Sequence, residues 1–448
     1  MLTVKDAEAR AAALIAMAAK AGADAADALY IGDASTGIHV RLGELEDVER
    51  SEGETIGLRF FLGRRSASVS SSDLSDDALA ALVERAAAMA REAPEDPWAG
   101  LAPEDMLLKG RGPDVAGDDG RDPSPAELKE RALAAEDAAR AVAGVTNSEG
   151  ANASAGRTVV ALATSHGFVQ GYSSSSYGSA ASVIAGTGGG MQRDHEHAST
   201  RHYEDLDDPA DIGRRAAERA VARLDPGKLP SGRMPVVFDE RVGASLLSHL
   251  IGAMTGSAIA RKTSFLLGRE DRPVFGEGIT ILDDPHRPRG LRSKPFDGEG
   301  LPTAPRALVE AGRLTGWLLD SASARQLGLR PTGHATRGVG GSPGSGATNV
   351  HLAAGTVSRD ELIADIGRGL YVTELIGQGV NPVTGDYSRG ASGFIIENGA
   401  IAGPVAEITI AGNLVDMFLQ LTPANDLAFR RAINVPTLRV DGMTVAGA

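Results

Sequence analysis

A short tract of alternating acidic and imidazole side chains is the first candidate for chemistry in this chain. The order Asp194-His195-Glu196-His197 places two imidazoles two residues apart, and His202 follows. On a strand, His195 and His197 share one face, which is the geometry of an HxH metal chelate. Such a site still needs a third donor, and the polar neighbours favour an exposed, solvated strand over an adventitious or functional metal site.

Three other histidines lie in isolation. His249 is alone on an apolar helical pattern, where a packed imidazole is a simpler interpretation than a contact with substrate. His334 and His351 flank the glycine-rich loop Gly338–Gly346, without a nucleophile in a recognisable motif. That loop lacks the G-x-x-x-x-G-K-[ST] order of a phosphate-binding loop. The sequence therefore gives little support for nucleotide binding.

A second candidate is the glycine-rich segment between residues 377 and 386, for which two interpretations stay open. Its backbone N–H groups could line a chamber and hold an extended peptide. Alternatively, the glycines only allow a tight loop that needs left-handed backbone conformations. The candidate residues for the first interpretation are Gly377, Gln378, Gly379, Asn381, Thr384 and Asp386.

The stretch Met234–Phe265 indicates the elements that would position a site. A short apolar run, Pro235–Phe238, predicts a buried strand. Asp239 follows where a helix N-cap belongs, and Glu240 falls in the first turn, where the helix dipole favours a carboxylate. Apolar residues then recur at helical spacing, which predicts one buried stripe, and further helix is expected over residues 257–267. The stripe consists of Val242, Leu246, Leu250 and Met254, with Leu247 and Ile251 beside them.

Composition limits the classes of partner and environment. The chain has 448 residues, with 45 lysines and arginines against 59 acidic residues, and its formal net charge is −14. Such a surface would repel a phosphate backbone, so we expect no nucleic-acid partner. No apolar run approaches the roughly 18 residues that span a bilayer, and the N-terminus lacks a signal-peptide pattern. We therefore expect a cytoplasmic protein without membrane contact, and the absence of cysteine suits a reducing compartment.

The order of the predicted elements indicates an α+β fold. The first half alternates amphipathic helices with short strands, three or four of them between residues 26 and 62 and three between residues 158 and 186. The second half is predicted to be mainly antiparallel β-structure with a few helices. We therefore predict an N-terminal α/β layer domain over residues 1–228, with an optional split near the acidic loop 93–125. A mainly antiparallel β domain is expected over residues 229–448, after the polar segment Pro226–Gly232.

Many positions of the second half resemble the pattern of the TldD/PmbA family. Examples are Thr384–Asp386, Glu397–Gly399 and Ile408–Leu414. In the TldD subunit of that family, the helix similar to residues 240–254 carries a zinc motif, HExxxH, directly after two apolar residues. Here the corresponding pair, Leu246-Leu247, is followed by a sequence without that motif.

The resemblance implies which residues stand at the motif positions. Ser248 replaces the first ligand, His249 the catalytic glutamate and Ala253 the second ligand. The family's third ligand is a cysteine that would lie between Leu427 and Pro436, and this chain has no cysteine. We therefore expect no catalytic residue and no metal ligand here. The pattern resembles the PmbA/TldE-type subunit, which lacks the zinc motif.

Function follows from that resemblance. It implies a zinc-free, non-catalytic subunit that joins a TldD-like zinc subunit in a metalloprotease acting on unfolded or peptide substrates. No cofactor is expected in this chain, and zinc is expected only in the partner. The alternative is a stand-alone homodimer that encloses a peptide groove and has no protease activity.

Overall fold

The structure is a computed structural model that describes residues 1–270 and 272–447. Its N-terminal part contains six long strands: β1 (Ala25–Arg41), β2 (Glu44–Leu62), β3 (Arg65–Ser71), β4 (Val145–Thr164), β5 (Val169–Ala185) and β6 (Gln192–Thr200). They form one antiparallel sheet in the order β3-β2-β1-β4-β5-β6. β3 and β6 are therefore its edge strands.

Two long hairpins replace the short strands that the sequence predicts. Two strands, β1 and β2, take the place of the three or four expected between residues 26 and 62, and β4 and β5 take the place of the three expected between residues 158 and 186. The turn signals at Gly32 and Gly53 do not interrupt β1 and β2, because they lie opposite each other in the ladder, where Asp33 pairs with Gly53. The prediction was wrong since cross-strand pairing overrides weak local turn preferences.

Four helices pack against this sheet: α1 (Val4–Lys20), α2 (Asp76–Glu92), α3 (Pro125–Arg140) and α4 (Pro209–Ala222). Tyr30 of β1 packs in one cluster with α1 and α2, whereas Ile38 of the same strand packs with α3 and α4. Leu29 points to the other face and packs with Phe296 of the C-terminal part. Because side chains alternate along a strand, the helices cover one face and the C-terminal part covers some of the other.

The C-terminal part begins at residue 232 and contains thirteen strands within the described residues. They are β7 (Gly232–Phe238), β8 (Ile281–Asp283), β9 (Arg306–Glu310), β10 (Arg313–Leu314), β11 (Ala335–Thr336), β12 (Gly344–Ser345), β13 (Val350–Leu352), β14 (Arg368–Ile376), β15 (Asp386–Glu397), β16 (Ala400–Asn413), β17 (Leu421–Pro423), β18 (Ile433–Asn434) and β19 (Leu438–Ala446). The helices are α5 (Glu240–Ala253), α6 (Gly256–Ala260), α7 (Ser321–Leu327), α8 (Arg359–Ala364) and α9 (Leu414–Leu419).

The largest C-terminal sheet closes on itself. Its strands pair in the order β16-β15-β14-β7-β19, with β17 beside β19, and β19 also pairs with β16. Only the β7–β14 pair in it is parallel. A second sheet has the order β10-β9-β8-β13-β18, and β11 pairs with β12. The predicted α+β fold with a mainly antiparallel second half is confirmed, although α6 ends at Ala260, so the helix predicted over residues 257–267 is short.

A buried ion cluster joins the two parts of the chain. Asp27 of β1 accepts hydrogen bonds from Arg59 of β2 and, at 2.6 Å, from Nη1 of Arg337 in the segment after β11. The three side chains are 2%, 8% and 1% exposed. Burial opposes ionisation, but the charges of Arg59 and Arg337 lower the pKa of Asp27. At Gly57 a Cβ atom would come within 1.7 Å of the Val339 carbonyl oxygen, so the segment lies directly on the sheet.

Among the described residues, none of the helices combines the length and the apolar character required to cross a bilayer.

Candidate functional site

The helix that the sequence singles out, α5, is fixed at its first turn. The Asp239 carboxylate accepts from the Arg241 N–H at 3.0 Å and from the Tyr371 hydroxyl at 2.9 Å, so the predicted N-cap is confirmed. The guanidinium of Arg241 also donates to Asp194 of β6 at 3.1 Å. The predicted apolar stripe is buried or packs against the core. These contacts fix the position of α5 and, with it, of the side chains on its remaining face.

The three motif positions on α5 do not form a chelating set. Ser248 is exposed, and its hydroxyl donates to the Ala244 carbonyl at 3.1 Å. His249 is half-buried, and Ala253 is buried and offers no donor atom. One imidazole, one engaged hydroxyl and one methyl group do not fit a zinc ion, which takes three protein ligands even at an open catalytic site.

A cluster without internal hydrogen bonds surrounds His249. Its ring lies edge-on to Tyr387 of β15, with centroids 6.2 Å apart. Within the described residues, His249 Nε2, the Tyr387 hydroxyl and Arg389 Nε are buried atoms that lack a hydrogen-bond partner. Burial and then the charge of Arg389 lower the pKa of His249, so its imidazole is neutral near pH 7. The cationic Arg389 also makes this environment unfavourable for a metal cation.

Sequence reasoning identified His249 but not its neighbours. Tyr387 and Arg389 lie in β15, which pairs with β14 and β16. They are nearly 140 residues from His249 along the chain. The alternation of β15 places both side chains on one face, and this signal is visible in the sequence. Their approach to α5 is a tertiary contact that no local pattern contains.

The glycine-rich segment forms the connection between β14 and β15, and all six candidate residues in it are exposed. Asn381 N donates to the Asp386 carbonyl at 2.9 Å, and the Thr384 hydroxyl donates to the Asp386 carboxylate at 2.6 Å. Gly377 has a φ of +79°, and a Cβ atom on Gly379 would come within 1.9 Å of the Ser388 carbonyl oxygen. These contacts support the tight-loop interpretation for much of the segment.

Peptide binding by this loop stays a prediction. The N–H groups of Asn381, Thr384 and Asp386 already donate inside the loop, although the last two bonds are long at 3.4 Å. Gly377, Gln378 and Gly379 are exposed residues, although the carbonyls of the last two accept hydrogen bonds from Val380 and Ser388. Since Tyr387 directly follows Asp386 and contacts His249, the structure brings the loop and α5 together.

The histidine tract lies elsewhere, on the edge strand β6. His195 and His197 are exposed on one face, with ring centroids 6.1 Å apart, as the alternation predicts. His202 instead donates from Nε2 to the Ala116 carbonyl at 2.9 Å. Asp194 and Glu196 point inward and form ion pairs with arginines of α4 and α5. Across residues 1–270 and 272–447, we find no group of three or more His, Cys, Asp or Glu side chains placed to hold a metal.

Buried acids form a separate cluster under α7. Asp297 Oδ1 accepts from the N–H groups of Glu299 and Leu301 at 2.9 Å each, and burial raises its pKa. Glu299 accepts from the Ser321 N–H at 2.8 Å and from its hydroxyl at 2.7 Å. Burial, followed by the charge of Asp297, raises the pKa of Glu299 to about 7. Burial likewise lowers the pKa of Lys294, which donates to the Ala335 carbonyl.

Comparison with known proteins connects this geometry to one family. Three family models match consecutive segments: PmbA/TldA metallopeptidase domain 1 over residues 26–90, the central domain over 118–224 and the C-terminal domain over 231–447. The metalloprotease PmbA of Escherichia coli O157:H7 is 40% identical over 417 residues, which cover 92% of this chain and 90% of that protein. A Haemophilus influenzae metalloprotease PmbA homolog is 38% identical over 435 residues, 97% and 94% of the two chains.

Solved structures show the same fold. A Bacteroides thetaiotaomicron protein described as a modulator of DNA gyrase superposes with a TM-score of 0.92 at 27% identity, and the match covers 100% of both chains. TldE from Thermococcus kodakarensis superposes with a TM-score of 0.88 at 22% identity, covering 98% of this chain and 100% of that one. The likeness to TldE supports the fold alone. Matched over nearly its whole length by these domains and relatives, the chain belongs to the PmbA/TldD family.

Proposed function

We propose that this chain is the zinc-free, non-catalytic subunit of a two-subunit TldD/TldE-type metalloprotease that cleaves unfolded or peptide substrates. In this proposal a TldD-like partner supplies zinc and the HExxxH helix, and this chain supplies walls of the substrate chamber. We place the pair in the cytoplasm, in keeping with the absence of cysteine from the sequence.

The proposal rests on the side chains of α5 that stand at the zinc-motif positions. Activation of water by zinc needs a bound ion and a nearby base, and tight zinc binding needs at least three protein ligands. Ser248, His249 and Ala253 offer one imidazole among them, beside the cationic Arg389. The resemblance to PmbA metalloproteases supports membership of a proteolytic system, and the α5 side chains favour the non-catalytic role within it.

The experiment compares the chain alone with the chain co-expressed with an HExxxH-bearing relative. Zinc is measured by elemental analysis, association by size-exclusion chromatography with light scattering, and cleavage with unfolded-protein and peptide substrates. A partner whose motif glutamate is replaced by glutamine is the matched control for cleavage. We expect the chain alone to hold no stoichiometric zinc and to cleave nothing, and the pair to show chelator-sensitive cleavage that the control pair lacks.

Two results would contradict the proposal. Stoichiometric zinc on the isolated chain, together with chelator-sensitive cleavage, would make this subunit catalytic. A homodimer that binds peptides but does not associate with an HExxxH-bearing relative would instead support the stand-alone peptide-binding protein.

A further inference from the structure

A pocket of about 310 Å³ lies between the N-terminal sheet and the C-terminal part. We call it the arginine pocket, because Arg287, Arg289, Arg430 and Arg431 line it, together with Phe429 and the His197–Thr200 end of β6. β6 is the free edge of its sheet. Three segments distant in sequence therefore meet here: residues 197–200, 287–291 and 429–431.

The pocket is cationic although the chain as a whole is strongly acidic. Four arginines line it against two aspartates, Asp205 and Asp207. Arg289 donates to Glu204 and Asp205 at 2.8 and 2.9 Å, and Arg430 lies 3.6 Å from Asp207, so both have acidic partners. No ion pair of Arg287 or Arg431 occurs within the described residues. Asp284 acts on Arg287 from beyond ion-pair distance, and Glu196, Glu240 and Asp239 act in the same way on Arg431. Neither guanidinium therefore has a carboxylate bound directly to it in that part of the chain.

Besides burial, the positive charge of Arg431 and Arg287 lowers the pKa of two nearby histidines. Burial and then Arg431 lower the pKa of His197, and burial and then Arg287 lower the pKa of His351. Burial also lowers the pKa of Arg287 and of Arg431. A partly desolvated cation without a directly bound counter-ion is costly, and an anionic ligand would offset that cost.

The geometry of Arg287 leaves its donors available. Its guanidinium carbon lies 3.4 Å from the centre of the Phe429 ring, so the face of the group stacks on the aromatic ring. Stacking leaves the N–H groups at the edge of the plane free for a bidentate bond to a carboxylate. Arg431 donates from Nη1 to the Arg241 carbonyl at 3.2 Å and has further N–H donors. Phe429 is 46% exposed, which offers an apolar surface beside the charge.

We propose that the arginine pocket binds a carboxylate of a peptide, with Arg287 and Arg431 as the charged donors and Phe429 packing against an adjacent apolar side chain. The choice of a peptide as ligand rests on the proposed function. A carboxylate matches the planar fork of Arg287 and the size of the pocket, and it can come from the peptide C-terminus or from an acidic side chain.

The test measures binding of labelled peptides to the full-length isolated chain by fluorescence anisotropy. One peptide has a free C-terminal carboxylate after an apolar residue and no acidic side chain. The second is the same peptide amidated, and the third is amidated and carries one internal glutamate. The protein variants are Arg287→Gln, Arg431→Gln and the milder Arg287→Lys, and Arg50→Gln, at an exposed position on β2, is the matched control.

We expect the free-acid peptide to bind, and each glutamine variant to raise its Kd about tenfold, the loss of one charge-assisted hydrogen bond. Arg50→Gln should leave Kd unchanged. If amidation abolishes binding, the ligand group is the C-terminal carboxylate, and if the internal glutamate restores it, an acidic side chain also serves. Arg287→Lys keeps the charge but loses the planar fork, so it should bind more weakly than the native chain. Circular dichroism establishes that each variant is folded.

Several results would overturn the inference: equal binding of all three peptides, unchanged Kd in both glutamine variants, or no binding up to about 1 mM. Displacement by inorganic phosphate without any peptide binding would also overturn it. These outcomes are separate from the fate of the proposed function, because the assay needs neither zinc nor a partner. Cleavage by the pair with unchanged peptide binding in the variants rejects only the arginine pocket. Arginine-dependent binding by a chain that neither associates with an HExxxH-bearing relative nor supports cleavage rejects only the two-subunit protease.

Discussion

The buried carboxyl group of Glu299 makes the folding stability of this protein depend on pH. The residue is 4% exposed, and burial and the neighbouring Asp297 raise its pKa from 4.5 to about 7. In the unfolded chain the pKa returns to about 4.3. The folded state therefore holds this proton more tightly. The resulting stability is complete below the unfolded pKa and is lost as pH rises through the folded pKa.

The magnitude follows from that difference in pKa. One unit is worth about 1.4 kcal/mol, so the full effect of Glu299 is about 4 kcal/mol. Between about pH 5 and about pH 7.5, the carboxyl group should remove about 2 kcal/mol from the free energy of unfolding. Glu299→Gln cannot titrate, and its amide oxygen can still accept from Ser321. The variant should therefore lose about 2 kcal/mol less than the native chain over that interval.

The assay is urea denaturation of both proteins at the two pH values, with the free energy of unfolding extrapolated to water. Asp297 and Lys294 titrate in both proteins, so their contributions largely cancel in the difference. Glu277→Gln, at an exposed position, is the matched control and should follow the native chain. An identical pH dependence in Glu299→Gln and the native chain would show that Glu299 stays ionised in the folded state, and would refute the reasoning.

Other predictions concern stability. Asp27→Ala should cost about 3–5 kcal/mol in urea denaturation, because two buried guanidiniums lose their counter-ion; a cost below about 1 kcal/mol would contradict the buried cluster. Gly213→Ala should destabilise α4, since the new methyl would come within 1.9 Å of the Ala135 carbonyl oxygen, whereas Gly252→Ala on α5 meets nothing within 4 Å and should be neutral or stabilise by up to about 1 kcal/mol in thermal unfolding. Tyr387→Phe should be neutral or slightly stabilising, because it removes a buried hydroxyl without a partner in the described residues; a loss above about 1 kcal/mol would mean that this hydroxyl is bonded.

Local signals in the sequence predicted the elements whose chemistry is local. The N-cap Asp239 is present as expected, because a cap involves residues within one helical turn. The capping box of Ser358 and Glu361 is equally local. The turn at Asn398-Gly399 has φ values of +49° and +78°, which this residue pair tolerates well. These features depend on neighbouring residues alone.

Strand length was harder to predict, because it depends on partners far away in the sequence. β1 continues through Gly32 since β2 lies on one side of it and β4 on the other, so each backbone group there has a partner to bond. Isolated turn preferences at such positions amount to fractions of a kcal/mol per residue, less than the sum of the ladder contacts. The same reasoning applies to the serine-rich stretch Ser173–Ser176 of β5, which stays extended along β4, while the Ser175 N–H donates to the Gly117 carbonyl at 3.0 Å.

The candidate sites show the same difference between local features and contacts that join distant segments. His249 and the motif positions could be read from one helix, whereas Tyr387 and Arg389 reach it from another strand. The arginine pocket draws on three segments, and the sequence singled out two of them for other reasons. His197 belongs to the histidine tract, and residues 427–436 were of interest for the cysteine that they lack. Charge that collects from separate segments leaves no local pattern.

On α5, the contacts that hold the helix in the fold differ from the side chains that would bind a metal. Its buried stripe and its cap at Asp239 bind the helix to the core, and these contacts use the inward face and the first turn. Ser248 lies on the exposed face, where substitutions usually change stability by about 0.5 kcal/mol or less. A ligand or a serine at that position therefore leaves the helix equally well held. For this reason a close superposition on a relative does not by itself transfer the relative's metal chemistry, and the donor atoms present at the motif positions decide it.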